Sequence, residues 1–423
     1  MTVIGLDDTD SREQGMCTTY AATLVADAIR KAGWRVERRL LVRLNPAVKH
    51  KTRGNAALAL HTNAPPEAAM DLASSVVDRL AVSDDPRTSP GVVVADGDPA
   101  TVPGSIRRFA REGVRDFHTT DRAVELAESA GYRHRGWCGG RGRIGALAAV
   151  GAWAAFDEWT YEHISYREFD RCGTPRNVDD DSVFAAAEAA YPDAWDTVDT
   201  EEDQAVCVPN APGPILYGIR GDDADAVRRV AEGIESESTE RTALFLTNQG
   251  TDAHLRTGAL DAVEDGRAYR LDGRVYDAPE TRTGGHVFVT LADGRGGTLP
   301  CVAFEPTKRF RDRVRALRSG DRLTVCGEVS GGTLKLEKFA VRELNRVEAV
   351  VPDCPACGRR MESAGRNQGY RCRDCRTRKP GKVDRHVERD LEVGWYEVPP
   401  CARRHVAKPL VRGGFDGPIH PER

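Results

Sequence analysis

The chain has 423 residues, which is too long for a single hydrophobic core and predicts about three or four domains. Charged residues make up 30% of the sequence and apolar residues 40%, with a formal net charge of −4, so a mainly disordered chain is excluded. No apolar stretch approaches the ~18 residues of a membrane helix, and no basic stretch followed by an apolar one opens the chain, so we expect neither a membrane span nor a secretory signal.

The first hundred or so residues follow the order of a β-α-β-β-α-β unit. A short buried strand is predicted at 2–6, and apolar residues at helical spacing predict a helix over 18–32, which Thr18 or Thr19 can cap. The remaining elements are strands near 38–44 and 56–62, a helix over 66–82 and a strand at 92–94. Two crossovers of this kind build a ferredoxin-like sheet with helices on one face.

The same order recurs after two helical segments, around 103–130 and 144–154, without any sequence repeat. We predict a strand at 160–167, a helix at 181–191, strands near 204–208 and 215–220, a helix at 223–236 and a strand at 241–248. Two polar loops of this second unit, 209–214 and 247–252, are candidates for the wall of a small polar pocket and equally for ordinary loops.

Residues 268–345 change to a pattern of five strands with one basic helix. The strands are Tyr269–Tyr276, His286–Leu291, Leu299–Phe304, Leu323–Glu328 and Thr333–Leu344, and the helix, Lys308–Arg318, lies between the third and the fourth. This layout is typical of an OB-fold barrel, a common platform for nucleic acids. The alternative is a small barrel that only spaces other domains.

Four of the eleven cysteines form two CxxC pairs: Cys354, Cys357, Cys372 and Cys375. Four thiolates complete a closed tetrahedral zinc site, and a segment this small depends on the metal for folding, so we predict structural zinc. Cys401 and His405 are candidates for further metal ligands, but they are better explained as a buried thiol and a surface imidazole. The other cysteines are scattered and their total is odd, which favours a reducing, cytoplasmic location over a disulfide scaffold.

Charge is distributed unevenly along the chain. From Asp353 to Arg423 there are 16 Lys and Arg residues against 10 Asp and Glu residues, and the rest of the chain carries −10. A basic end on an acidic body suggests a polyanion partner docked at that end, although a basic surface without a partner explains the charge equally well.

An acidic loop follows the first strand and contains Asp7, Asp8 and Asp10. Carboxylates crowded at a strand end are tolerated best around a hard cation, and magnesium held there would in turn hold substrate phosphates. Gly15 and the helix start that follows it offer free backbone amides to an anion. The alternative is an acidic turn followed by a helix cap.

A basic stretch lies between the second and third strands. It begins at Arg43 and Asn45 and continues with Lys51, Arg53 and Asn55, which suits a phosphate or nucleotide contact. The stretch lacks the P-loop pattern, so any nucleotide site here differs from the standard one. A basic hairpin turn is the other explanation.

Together these motifs resemble, nearly from end to end, the archaeal isoleucine-tRNA 2-agmatinylcytidine synthetase (TiaS) family. The stretches that carry the resemblance are Asp7–Ser11, Gly15–Thr19, Arg43–Pro46, Lys51–Asn55, Arg141–Gly151, Pro214–Gly221, Ala303–Lys308, Cys354–Arg366 and Tyr396–His405. The resemblance implies an α+β multidomain fold with a kinase-like α/β domain over 1–132, a ferredoxin-like domain over 133–262, an OB-fold β-barrel over 263–346, a zinc ribbon over 347–390 and a basic C-terminal tail over 391–423.

The resemblance also implies an ATP-dependent tRNA modification that uses Mg²⁺ and a zinc-stabilised fold. The family phosphorylates C2 of the wobble cytidine in the AUA-decoding isoleucine tRNA, and agmatine then displaces the phosphate to leave agmatidine. Agmatine is a dication and would favour a pocket lined by carboxylates or carbonyls between the first two domains. In the family a cysteine can replace Gly213, in a loop that borders this pocket.

Residue roles are carried over from the same resemblance. The implied catalytic residues are Asp7, Asp8 and Asp10, which would hold magnesium, and Thr18, which becomes phosphorylated in the family. The implied nucleotide-binding residues are Gly15, Lys51, Arg53 and Asn55, and the implied tRNA-binding residues are Arg359, Arg360 and Arg366. Two rival hypotheses remain: a non-catalytic RNA- or single-stranded-DNA-binding protein, which leaves the acidic loop unexplained, and an enzyme that uses another amine, such as lysine.

Overall fold

The structure is a computed structural model that describes residues 1–51 and 54–423. Arg53, which the sequence predicts to bind nucleotide, lies outside the described residues. The first domain contains the predicted β-α-β-β-α-β unit followed by three more helices and a strand. Its elements are β1 (Thr2–Asp7), α1 (Thr18–Lys31), β2 (Val36–Arg43), β3 (Ala56–Thr62), α2 (Pro66–Leu80), β4 (Gly91–Asp96), α3 (Gly104–Arg115), α4 (Thr120–Ser129), β5 (Arg133–Gly136) and α5 (Arg143–Ala155).

Helices cover both faces of the first sheet, whose strand order is β5-β4-β1-β3-β2. Successive residues of a strand point to opposite faces, so Ile4 and Leu6 of β1 pack among residues of α1 and α2, while Val3 packs among residues of α3, α4 and α5. The ferredoxin-like unit alone has helices on one face. The later helices supply the second layer and make this a three-layered α/β domain.

The second unit also has the ferredoxin-like order, β11-β6-β10-β7. Its elements are β6 (Thr160–Arg167), α6 (Asp180–Ala190), β7 (Ala194–Trp195), β8 (Val198–Asp199), β9 (Gln204–Ala205), β10 (Ile215–Gly221), α7 (Ala224–Gly233) and β11 (Thr239–Thr247). The strand predicted at 204–208 is wrong as a member of this sheet, because β9 pairs with β8 in a separate hairpin. The two-residue β7 takes its place. Strand β7 ends just before Asp196. The Asp196 side chain is buried in an ion pair with Arg403, which lies much later in the chain.

Both units join into one nine-stranded sheet, because β2 and β11 pair in parallel with Leu40 opposite Leu246. Arg43 closes this seam. Its backbone exchanges hydrogen bonds with the Asn248 side chain at 2.7 and 3.0 Å, and its guanidinium reaches Oε1 of Gln249 at 2.9 Å and Oε2 of the buried Glu162 at 3.0 Å. The first residue of the basic stretch, Arg43, therefore makes contacts within the protein that join the two units.

A closed five-stranded barrel follows, as the sequence predicts, with α8 between its third and fourth strands. The elements are β12 (Leu255–Thr257), β13 (Ala268–Val275), β14 (Glu280–Thr281), β15 (Val287–Ala292), β16 (Thr298–Ala303), α8 (Phe310–Arg315), β17 (Arg322–Ser330) and β18 (Thr333–Glu343). The pairing runs β13-β15-β16-β18-β17 and returns to β13, which is the OB-fold closure. Phe310 and Val314 of α8 are buried in the barrel core.

The last part of the chain contains the ribbon and a segment that returns to the barrel. The strands are β19 (Val347–Val350), β20 (Glu362–Ser363), β21 (Tyr370–Arg371), β22 (Arg378–Lys379), β23 (Val383–His386), β24 (Gly394–Glu397) and β25 (Ile419–His420). Residues 391–423, predicted as a basic tail, are packed in the structure: β24 pairs with β18, β25 pairs with β24, and Trp395 and Leu410 are fully buried. No helix in the part of the chain that the structure describes is long and apolar enough to cross a membrane.

Candidate active site and zinc centre

A cavity of about 940 Å³ lies between the first domain and the barrel. One wall is built by the end of β1 and the start of α5, and the opposite wall by Glu328, Ser330 and Lys335 of the barrel. Of the predicted site residues, five line this cavity: Asp7, Asp8, Asp10, Lys51 and Asn55. Residues that are distant in sequence, on the acidic loop and the basic hairpin, are thus brought to one site.

A tight turn fixes the first two carboxylates. Asp8 adopts φ +64, a left-handed conformation that aspartate tolerates better than most residues, and its amide donates to Oδ1 of Asp7 at 2.7 Å. Nη2 of Arg141 then donates to Oδ2 of Asp8 at 2.7 Å. The turn and the arginine together set the direction in which both acidic groups point.

The first turn of α5 lies directly against Asp7. A Cβ at Gly145 would be 2.0 Å from Oδ2 of Asp7, so this close approach requires glycine. The amino end of a helix carries partial positive charge, which favours an anionic group at this position. The residues Gly142 and Gly145 thus place a helix start beside the acidic loop and within the cavity wall.

The electrostatics of the acidic loop favour a cationic ligand. Burial, and then the charge of Asp8, raise the pKa of Asp7 well above its usual value. Burial also raises the pKa of Asp8 to about 6, against the opposing effect of Arg141. Carboxylates that are costly to charge in isolation are stabilised when positive charge is bound among them.

Two predicted residues of the acidic loop and helix start lie beside the cavity wall rather than in it. Gly15 is at φ +87, and a Cβ there would be 3.0 Å from the carbonyl oxygen of Pro212 in the second unit. Thr18 is buried at the first position of α1, where its Oγ1 accepts from the Thr9 hydroxyl at 3.1 Å. The helix cap is Cys17, which makes no side-chain capping bond, so the predicted threonine cap is wrong.

The basic residues of the cavity come from both walls. Burial lowers the pKa of Lys51, which lies opposite Lys335 and Arg404. Asn55 points its Nδ2 to the carbonyl oxygen of Asn45 at 2.9 Å and so braces the hairpin that carries Lys51. Positive groups therefore line the same cavity as the acidic loop, a combination suited to a phosphate-bearing ligand with a bound cation.

Sequence reasoning missed several residues of the cavity. Arg141 opens one of the family motifs, and its position after a glycine-rich turn is a signal that could have identified it. Phe117 and His118 lie in the loop between α3 and α4, and Lys335 lies within a barrel strand. Nothing in their local sequence indicates that these elements meet the acidic loop, because the cavity forms only when the barrel packs on the first domain.

The four predicted zinc ligands come together in the ribbon. Among the described residues, Cys354, Cys357, Cys372 and Cys375 form the one group of three or more candidate ligand atoms lying within 4.8 Å of one another. Two matching turns present them: the amides of Gly358 and Arg376 donate to the carbonyls of Cys354 and Cys372 at 2.8 and 3.0 Å. Four sulfurs in this arrangement fit a closed structural zinc site.

By the same criterion, the oxygens of the three aspartates are not all within 4.8 Å of one another in the described structure. The three aspartates are grouped as one candidate site because all of them line the same cavity. Cys401 and His405 lie outside the zinc cluster. The Cys401 amide donates to Asp199 at 3.2 Å. His405 is half-buried rather than fully exposed on the surface, and burial lowers its pKa well below the usual value.

The predicted tRNA-binding arginines Arg359, Arg360 and Arg366 are all exposed on the ribbon. Nη1 of Arg359 contacts both carboxylate oxygens of Asp374 at 2.7 Å. None of the three is among the described residues that line the cavity. The ribbon thus presents a basic surface separate from the acidic loop.

The fold and the site define a class of protein that couples a cavity for a phosphate-bearing, cation-bound ligand to nucleic-acid-binding modules. Family models match along most of the chain: the TiaS TCKD domain over 3–137, the TiaS FLD domain over 140–254, the OB-fold nucleic acid binding domain over 269–338 and the TiaS C-terminal zinc ribbon domain over 351–391. The chain belongs to the TiaS family.

Individual relatives agree with this assignment. The isoleucine-tRNA 2-agmatinylcytidine synthetase TiaS of Haloquadratum walsbyi is 58% identical, and the match covers 100% of both chains. A crystal structure of TiaS in complex with an isoleucine tRNA and ATP superposes with a TM-score of 0.89 at 41% identity, covering 100% of this chain and 99% of that one. A complex of TiaS with an isoleucine tRNA, AMPCPP and agmatine gives 0.87 at 38% identity, with the same coverage.

Proposed function

We propose that this protein joins agmatine to C2 of the wobble cytidine in the AUA-decoding isoleucine tRNA, using ATP, and so forms agmatidine. The observation that carries the proposal is the full-length match to a relative described as an isoleucine-tRNA 2-agmatinylcytidine synthetase. The cavity supports it, because its acidic loop, basic side chains and helix start suit a nucleoside triphosphate. The reaction takes place in the cytoplasm.

The chemistry requires activation of a poor leaving group. The oxygen at C2 of cytosine leaves only after phosphorylation, and phosphoryl transfer depends mainly on positioning and on neutralising charge. Asp7, Asp8 and Asp10 would hold a magnesium ion, which supplies charge neutralisation to the nucleotide phosphates. Lys51 and Arg53 contribute further positive charge, and Asn55 and Gly15 complete the nucleotide-binding set.

Thr18 is the proposed site of phosphorylation, as the family resemblance implies. It begins α1, where backbone amides stabilise a phosphate, and it touches Thr9 of the acidic loop. Agmatine is proposed to bind between the first two domains. The loop that carries Gly213 is held there by Arg176, which donates to the carbonyls of Ala211 and Gly213 at 2.7 and 3.1 Å.

The tRNA is proposed to bind along the ribbon and the barrel. The wobble base must leave its stack to reach the cavity, as in other enzymes that modify a base. Arg359, Arg360 and Arg366 are exposed and basic, and such residues neutralise backbone phosphates.

We retain as proposed domain limits 1–132, 133–262, 263–346, 347–390 and 391–423.

The test is reconstitution with ATP, magnesium, agmatine and an unmodified isoleucine tRNA transcript, followed by mass analysis of the nucleosides. We expect agmatidine from the wild-type protein and none from Asp8→Asn, which loses one charge of the acidic loop but retains tRNA affinity. Asp98→Asn is the matched control, because Asp98 accepts an exposed backbone hydrogen bond from Ala100 at 2.9 Å, outside the cavity.

Three outcomes would contradict the proposal. Incorporation of lysine or another amine in place of agmatine would show that agmatine is not the amine substrate. Unaltered turnover in Asp8→Asn would remove the acidic loop from the reaction, and a wild-type protein that binds tRNA without consuming ATP would be a binding protein.

A further inference from the structure

The cavity is lined by both charged and apolar side chains. Asp7, Asp8 and Arg141 contribute charged groups, whereas Leu44, Ile144 and Phe117 form the apolar part of the lining. A nucleotide presents the same two kinds of surface, the charged phosphates and the flat apolar face of a base. The apolar part therefore requires an explanation that the phosphate chemistry does not give.

Phe117 is distinctive within this apolar part. Of the described residues that line the cavity, it is the one large apolar side chain that stays exposed, at 46% of its full accessibility. The neighbouring His118 is not equivalent, because its ring stacks on Phe109 with centroids 3.8 Å apart. A phenylalanine ring exposed to water inside a cavity costs hydrophobic free energy, which a ligand that covers the ring would recover.

Contacts from two domains hold Phe117 in place. Its amide donates to Oδ1 of Asp116 at 2.9 Å, and Asp116 forms ion pairs with Arg256 and Arg267 at 2.9 Å each. Nδ2 of Asn45 donates to the carbonyls of Asp116 and Gly266, at 3.2 and 3.0 Å. The backbone that presents the ring is therefore fixed before any ligand arrives.

A glycine on the barrel side makes room for the ring. Gly266 is at φ +76, and a Cβ at that position would be 2.6 Å from Cζ of Phe117. The edge of the ring thus rests against backbone, which leaves ring surface to a ligand. Small residues such as Ala47 and Gly113 also line this part of the cavity and leave space for a flat group.

We propose that Phe117 is a stacking platform for an aromatic base in this cavity, either the adenine of ATP or the flipped cytosine of the tRNA. Stacking of a base on an aromatic ring tolerates any base, since each has a π-face. Phe117 is then a substrate-positioning residue whose contribution depends on its ring. The inference rests on the proposed function, because it takes the cavity to be the nucleotide site.

The experiment measures the binding of AMPCPP and of inorganic triphosphate to the full chain, together with KM and kcat for the tRNA. Triphosphate has no base and reports on the charged groups of the cavity alone. The variants are Phe117→Ala, Phe117→Leu, which keeps apolar bulk without a π-face, and Phe117→Tyr, which keeps the ring. Phe169→Ala is the control, because Phe169 is equally exposed at 44% and is not among the described cavity residues.

If the ring stacks on adenine, Phe117→Ala weakens AMPCPP binding by about 5- to 100-fold and leaves triphosphate binding unchanged. If it stacks on cytosine, AMPCPP binding is unchanged and KM for the tRNA rises by a similar factor, with kcat changed less. In both cases Phe117→Tyr stays near the wild type, Phe117→Leu lies between tyrosine and alanine, and Phe169→Ala has no effect.

The proposal is overturned if Phe117→Ala changes neither AMPCPP binding nor KM for the tRNA, or if triphosphate binding weakens as much as AMPCPP binding. The second result would mean that the substitution disturbs the charged groups that bind phosphate. If the alanine variant folds poorly, the same measurements on Phe117→Leu decide whether the ring of Phe117 contributes to binding. Failure of the proposed function is a separate result, because it is read from the wild-type protein as an absence of agmatidine.

Discussion

His61 carries an uncharged imidazole inside the sheet of the first domain. It is fully buried on β3, its ring meets the Trp153 ring edge-on at 6.0 Å, and neither ring nitrogen has a hydrogen-bond partner among the residues that the structure describes. Burial, and then the charge of Arg38, lower its pKa to about 4. In the folded protein His61 therefore stays neutral down to about pH 4, whereas in the unfolded chain it takes up a proton near pH 6.5.

This difference makes the stability of the protein sensitive to acid. Between about pH 6.5 and pH 4 the unfolded chain binds a proton at His61 that the folded chain does not, so stability falls as the pH is lowered. Lowering the pH from 7.5 to 5 costs about 2 kcal/mol through this residue. We expect His61→Leu to reduce the acid-induced loss by that amount in urea unfolding at the two pH values.

His386→Gln is the control for His61→Leu, because His386 is exposed in the ribbon. It should leave the pH dependence as in the wild type. Parallel stability profiles for the wild type and His61→Leu would show that the buried imidazole is not a source of acid sensitivity.

At the scale of elements, helix α5 approaches the sheet more closely than side chains allow. A Cβ at Gly5 of β1 would be 2.1 Å from the carbonyl oxygen of Ala146, and a Cβ at Gly91 of β4 would be 2.0 Å from the amide nitrogen of Arg143. Glycine at these strand positions lets the helix backbone rest on the strands. The close contact is what brings the start of α5 to the acidic loop.

The substitution Gly145→Ala tests this arrangement. The new methyl carbon would be 2.0 Å from Oδ2 of Asp7, so the carboxylate must move by a large fraction of an ångström or more. Misplacement on this scale costs about 100-fold in rate, and we expect ATP cleavage with tRNA to fall by that order in the purified variant. Thermal unfolding should show a folded protein, because alanine favours a helix over glycine.

Gly151→Ala on the same helix is the matched control. Its Cβ would be 2.8 Å from the carbonyl oxygen of Ile106 in α3, away from the cavity, so it should lower stability without lowering ATP cleavage by the folded protein. If Gly145→Ala cleaves ATP at the wild-type rate, the position of Asp7 is not critical for the reaction.

Elements whose burial follows a regular period are predictable from this sequence, whereas those fixed by distant partners are not. The short buried run of β1 and the helical spacing in α1 identify both elements, and the strand-like runs of the barrel identify its five strands. The position of β7 depends on the burial of Asp196 against Arg403, and the seam depends on Asn248 meeting Arg43. For the candidate site, local chemistry indicated the acidic loop, but Phe117 joins it only through the packing of the barrel.

At the scale of the whole molecule, the segment 391–423 fastens the barrel to the second unit. Arg403 pairs with Asp196 at 3.0 Å and with Glu397, while Arg404 pairs with Glu328 at 3.2 Å. All five basic residues of the segment form ion pairs with carboxylates: Arg403, Arg404, Lys408, Arg412 and Arg423. A count of charges along the sequence includes these residues in the basic end, yet their charge is balanced within the protein.

The basic surface that remains for RNA is therefore mainly that of the ribbon. Seven arginines around its cysteine cluster are exposed: Arg359, Arg360, Arg366, Arg371, Arg373, Arg376 and Arg378. The acidic partners of the C-terminal segment come from distant parts of the chain, so the sequence could indicate an uneven charge but not which part of it is internally paired. The segment acts as a structural clamp that sets where the barrel and ribbon stand relative to the cavity.

Arg403→Met tests the clamp. Removing the guanidinium leaves Asp196 and Glu397 buried without their cation, and breaking a buried pair in this way costs about 3–5 kcal/mol. We expect a lower unfolding temperature, faster hydrogen exchange in β7 and β24, and a higher KM for the tRNA. Arg423→Met is the control, because its ion pair with Glu188 is largely exposed and such pairs contribute about 0–1 kcal/mol.

The pH dependence of this loss identifies its cause. Burial already raises the pKa of Asp196, and without Arg403 this carboxylate takes up a proton more readily in the folded protein than in the unfolded chain. The stability deficit of Arg403→Met should therefore shrink as the pH falls from 7.5 to 5, whereas loss of packing alone would give the same deficit at both values. A deficit that is constant with pH, or no larger than that of Arg423→Met, would show that the buried ion pairs do not hold the barrel to the second unit.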